Sequence, residues 1–174
     1  MPSAAARRAY AGPALFSFGF RPFFLVAGLW ALLAVPLWLW THLGAGPAEF
    51  DRDWHVHEML FGYLGAVVAG FLTTAVPNWT GRMPVIGAPL AGLVALWLAG
   101  RLSMLFAAQA PVLTAWADSA FLVVFALVIW REVLAGRNLK NLPVCMVVTL
   151  LAGANVAFHA RGLAPEAAAA SERA

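Results

Sequence analysis

The sequence predicts an all-α polytopic membrane bundle of five transmembrane helices, with the N-terminus in and the C-terminus out. Three observations predict it. Hydrophobic residues make up 63% of the 174 and charged residues only 11%, so too few polar side chains remain to clothe a soluble globule. Pro, Gly and polar interruptions leave five stretches near the roughly 20 apolar residues that cross about 30 Å of hydrocarbon. Lys and Arg gather on alternate connections between those stretches, as they do on the cytoplasmic flanks of membrane spans.

Residues 1–14 are Ala-rich and polar enough for a mobile cytoplasmic leader. The segment 16–24, FSFGFRPFF, reads as an interfacial aromatic stretch that turns into the first helix, with Pro22 in its opening turn. The spans follow at about 23–40, 55–76, 86–107, 112–134 and 142–159. They form one transmembrane domain over 15–161, and 162–174 is a flexible Ala/Glu tail. The first span exceeds the roughly 7–15 residue apolar core of a cleavable signal, so it stays in the membrane. PNWTGRMPV at 77–85 and the tighter break at 108–111 are short connections that force antiparallel neighbours. Gly62, Gly65, Ala69 and Gly70 line the second helix with small side chains. They invite close helix approach and place that helix at the centre of the bundle.

Orientation follows from charge. Arg7, Arg8, Arg21, Arg82, Arg131, Arg137 and Lys140 share one side, whereas the first loop on the other side carries Glu49, Asp51 and Asp53 against Arg52. The net charge of +3 is thus dispersed over cytoplasmic flanks rather than gathered in a stripe, which argues against a nucleic-acid partner. The bilayer is the expected surroundings and a bacterial inner membrane the expected location. A single cysteine, Cys145, excludes an internal disulfide and any CxxC site.

All four histidines fall at the outer level. His42 ends the first span, His55 and His57 open the second, and His159 closes the fifth. On an α-helix His55 and His57 lie about 200° apart and cannot share one metal. His57, one turn inside, is the preferred ligand, and His55 is an interfacial capping group or a supporting one. Glu58 is costly in a membrane helix, about 2.5–3.5 kcal/mol unless paired. It reads either as an acceptor for a histidine N–H or as a carboxylate helped by the helix N-terminus. Asn155 and His159 share a face of the fifth helix, and His42 is as readily a solvated loop residue. Arg101 and Asp118 match in depth and suit a buried ion pair, with Arg101 also able to reach an anionic cofactor group. Met59 and Met104 are soft donors better read as packing. No nucleophilic triad or phosphate loop is visible.

GFRPFFL at 19–25, WHVHEMLFGY at 54–63, GFLTTAVPNWTG at 70–81, RNLKNLPV from Arg137 and ANVAFH ending at His159 resemble the NnrS family. This is a family of haem- and copper-containing bacterial inner-membrane proteins linked to nitric oxide and nitrosative stress. The resemblance covers about 15–161 and implies His55, His57, Glu58 and His159 as functional positions, without dividing them between haem and copper. Family members resemble a twelve-helix protein, so five spans imply a half-length member. Such a member would complete itself as a homo-oligomer, whose two-fold axis gathers the histidines at a shared interface, or with a partner membrane protein.

The expectation is therefore a haem b or copper centre in the outer half of the bundle. His57 and His159 lead as ligands, His55, Glu58, Asn155 and His42 support them, and Arg101 is a charge partner. Nitric oxide is the expected small ligand, and no conventional turnover is expected. Two other readings stand beside it. One is a metal or small-solute transport or handling subunit, whose route finds few polar groups beyond Thr73, Thr74 and Asn78. The other is a structural membrane subunit without a cofactor.

Overall fold

The computed structural model describes the backbone of residues 10–171 and the side chains of residues 10–163. Most of the expected leader, and the last residues of the expected tail, lie outside that range. Among the described residues the chain is helical throughout, without strands. We label the helices α1 (Phe20–His42), α2 (Arg52–Thr80), α3 (Ala88–Met104), α4 (Pro111–Ala135) and α5 (Leu142–Ser171). Short 3-10 turns at Ala14–Ser17 and Leu139–Asn141 precede α1 and α5.

Four of these helices are long and apolar enough to cross a membrane, while α3 is shorter at 17 residues. Their outward surfaces are greasy: Leu32, Trp116 and Leu150 are each more than 70% exposed. A soluble bundle would hide such side chains; here their natural solvent is lipid.

Local chemistry sets the ends. Asp51 caps α2 by accepting from the Trp54 backbone N–H at 2.8 Å, so the helix starts before the histidines rather than among them. Gly81 closes α2 with φ 68° and its N–H on the Pro77 carbonyl, a left-handed cap that suits glycine. Pro89 and Pro111 sit in the first turns of α3 and α4, where a missing N–H costs nothing.

The sequence reading put α2 alone at the centre of the bundle. Instead α2 shares it with α4, which packs against α3, α5 and α2, while α1 packs on α2. The small residues of α2 still matter, in divided roles. Gly70 lies under Phe23 and Phe24 of α1, and Gly65 faces Phe121 and Leu122 of α4. The buried interior runs from Phe23 and Ala27 through Leu72 and Val76 to Phe125, Ile129 and Val133.

At the basic end, Arg82 pairs with Glu132 at 2.6 Å and Asn138 donates to the Trp79 carbonyl at 2.6 Å. These two bonds tie the α2–α3 and α4–α5 connections together. At the other end, helices converge on a cluster of polar groups.

Candidate functional site

Within α2 the backbone leaves α geometry and forms a π segment at Glu58–Tyr63. Such a segment holds one residue more than a regular turn would and re-aims the side chains around it. Here His57 and Glu58 are neighbours in sequence, yet both are wholly buried in the same cluster.

Glu58 accepts from Trp30 Nε1 of α1 at 2.6 Å and from Arg101 of α3 at 2.6 Å, both on Oε2. Its other oxygen lies 3.1 Å from His57 Nδ1. Arg101 reaches the opposite way to Asp118 of α4, so one guanidinium bridges two carboxylates. His57 Nε2 lies 3.0 Å from Asn155 Oδ1 and 3.1 Å from Asp118 Oδ2. That same Asp118 oxygen receives Asn155 Nδ2 at 2.9 Å and faces His159 Nε2 at 2.9 Å. Every helix of the bundle thus contributes to one connected polar network.

Such a network belongs in an apolar layer only if its charges are matched, since each stranded charge there is expensive. With neutral imidazoles the balance is two carboxylates against one guanidinium, one negative charge in excess. Both nitrogens of His57 face oxygen acceptors, although a neutral ring carries one proton. One further positive charge, a second proton on His57 or a cation among His57, Asp118 and His159, would close that balance.

Those three residues each offer one ligand atom, and the atoms all lie within 4.8 Å of one another. Donors around a tetrahedral ion, each about 2.0–2.2 Å from it, stand roughly 3.3 Å apart. Small side-chain shifts would therefore seat a metal ion, with Glu58 fixing the far nitrogen of His57 as a supporting carboxylate does at many metal-bound histidines. A porphyrin is a poorer fit between the same imidazoles. Phe61 and Phe158 pack on His57 with centroids at 5.0 and 4.7 Å, and His159 follows at 5.2 Å. No slot for a macrocycle separates the rings.

Gly62 explains itself here. A Cβ at that position would stand 2.3 Å from an Arg101 nitrogen and 2.8 Å from Glu58 Oε2. Its carbonyl also accepts from Trp97 Nε1 at 3.0 Å. The residue makes room for charge rather than for a neighbouring helix backbone.

The sequence-predicted residues divide into two groups. His57, Glu58, Arg101, Asn155 and His159 meet in the cluster. His55 and His42 do not: His55 stacks on Trp38 at 4.1 Å, and Trp38 stacks on His42 at 5.1 Å. With Trp38, the two form a separate aromatic layer beside the cluster. Met104 is buried in the core and Met59 packs against it. Sequence reasoning missed Trp30, Trp97 and Gly62 as members of the site and treated Asp118 only as the partner of Arg101. The depth match of Asp118 with His159 was the available signal.

The NnrS family signature, described as NnrS protein, matches residues 14–174, essentially the whole chain. The chain belongs to the NnrS family. No curated protein and no solved structure matches it. Membership agrees with the apolar helices in placing an NnrS chain among membrane proteins.

Proposed function

We propose that this chain is an inner-membrane metal protein of the nitric oxide response, with its ion held by His57, Asp118 and His159. The observation that carries the reading is the convergence of those donors in a buried cluster where two carboxylates share one guanidinium. Family membership directs the chemistry toward nitric oxide. Copper is the ion we assign, since imidazole nitrogens are good ligands for it, although zinc and iron take the same donors. When bound, such an ion would supply a redox-active centre.

The chain's own residues do the rest. Glu58 holds the Nδ1–H of His57, which turns Nε2 toward the ion. Arg101 bridges Glu58 and Asp118 and holds them apart. Phe61 and Phe158 exclude water from the inner side of His57. His159, whose side chain alone among the three donors is noticeably exposed at 10%, stands at the mouth. In this reading α3 completes five spans, and the basic connections face the cytoplasm while the cluster lies toward the periplasm.

Purification of the full chain in detergent, followed by metal analysis and a visible spectrum before and after adding nitric oxide, tests this. The reading expects about one metal ion per protomer, a spectral change with nitric oxide, and loss of metal in His57→Ala and His159→Ala. Metal retained in both variants contradicts the site. A Soret band that survives in both would place a haem elsewhere. Metal binding without any response to nitric oxide would favour metal handling instead.

A further inference from the structure

Away from the polar cluster, α2 and α5 diverge. At the outer end they are held together by the His57–Asn155 contact of 3.0 Å and by Phe61 against Phe158, 6.3 Å between centroids. Toward the basic end they open into a groove of about 310 Å³, lined by Val68, Leu72 and Trp79 on one side and by Val144, Val147 and Val148 on the other. No polar surface lines it. Trp79 also belongs to a second concavity of about 520 Å³, formed with Arg137, Asn138 and Lys140, which is polar in part. The two spaces therefore meet at one tryptophan.

We propose that these two concavities, which share Trp79, together bind an anionic phospholipid, its acyl chain in the α2–α5 groove and its phosphodiester at Arg137 and Lys140. Length favours a lipid over a partner's helix. From Val68 to Trp79 the groove runs about 16 Å at 1.5 Å per residue, which is the depth of one leaflet of a bilayer core about 30 Å thick. A transmembrane helix would need a groove through both leaflets, and here the outer half is closed by the phenylalanine pair.

Charge favours an anionic headgroup over a zwitterionic one. Arg82 and Arg131 both lie within 4.0 Å of Glu132. Arg137 and Lys140, both exposed, have no carboxylate within that distance among the described residues. Arg137 is held in place by a left-handed backbone, φ 51°, and by its N–H on the Leu134 carbonyl. Asn138 is fixed by its bond to the Trp79 carbonyl. The first turn of α5 opens just beyond and adds the positive end of its dipole. Trp79 sits where an aromatic ring prefers to lie, between the chain region and the headgroups.

The test uses the full chain in detergent, titrated with phosphatidylglycerol, phosphatidylcholine or glycerol phosphate, with the thermal midpoint and native mass spectrometry as readouts. Phosphatidylglycerol is expected to raise the midpoint and remain bound, phosphatidylcholine to bind roughly tenfold more weakly, and glycerol phosphate to do neither. Arg137→Gln with Lys140→Gln is expected to abolish the preference for the anionic lipid. Val147→Trp, which fills the groove from an exposed position, is expected to weaken both lipids. Equal binding of the two lipids by the unaltered protein overturns the proposal, as does a midpoint shift from glycerol phosphate matching that from phosphatidylglycerol. Full phosphatidylglycerol binding by either variant overturns it too.

Discussion

Arg101 is the residue on which the cluster depends. Its guanidinium bridges Glu58 and Asp118, which are both wholly buried, and removing one partner of such a pair leaves a charge that neither water nor protein satisfies. Arg101→Met is expected to cost about 3–5 kcal/mol, read as a lowered thermal midpoint in detergent. A midpoint unchanged within error would mean that the carboxylates find another cation. Glu58→Gln should cost less, about 1–3 kcal/mol, because the remaining Arg101–Asp118 pair is still matched and the amide oxygen can accept from Trp30. Gly62→Ala is the steric counterpart. The new methyl falls against an Arg101 nitrogen at 2.3 Å and against Glu58, and a loss of about 1–3 kcal/mol follows from displacing them. Metal analysis of the same variant should show depletion, since the displaced carboxylate no longer orients His57.

At the level of elements, the π segment Glu58–Tyr63 is what lets two successive residues face one site. Deleting Leu60, which is exposed at 44%, would allow regular α geometry and rotate His57 and Glu58 away from Asp118 and Asn155. The deletion should abolish metal binding while helical content by circular dichroism stays close to that of the unaltered chain. Metal bound at full occupancy would show that the segment is incidental.

This element also marks where the sequence stopped being readable. Helix positions were legible because apolar runs and their Pro and Gly punctuation report directly on what lies in lipid. The π segment was not, because an inserted residue in a helix leaves no change of hydrophobic pattern across only six positions. Depth counting along each helix matched His57 with His159 and, as a separate set, Arg101 with Asp118. Depth gives no rotation about the helix axis, however. For that reason His55 and His42 matched the same level and turned instead to Trp38, and Trp30 and Gly62 went unnoticed.

For the whole molecule, the bundle has one polar end and one apolar half. The polar network spans all five helices near the end that holds the histidines, and below it the interior is hydrocarbon down to Val133 and Val76. A polar route through the molecule would need to continue past that layer. The buried Thr73 hydroxyl is spent on the Ala69 carbonyl of its own helix at 2.6 Å. The architecture therefore suits a site reached from one side more than a channel. Cysteine-accessibility labelling in intact cells, on a Cys145→Ala background, checks the orientation: Glu49→Cys should react with an impermeant reagent and Lys140→Cys should not. The reverse pattern would invert the bundle.

X-ray absorption at the copper edge, on the copper-loaded full chain, reads the donor set of the bound ion itself. A first shell of nitrogen and oxygen atoms at about 2.0–2.2 Å is expected, with the outer-shell scattering of two imidazoles that is lost in His57→Ala. A shell dominated by sulfur, or copper whose spectrum is unchanged when His57 is replaced, would contradict the proposed site.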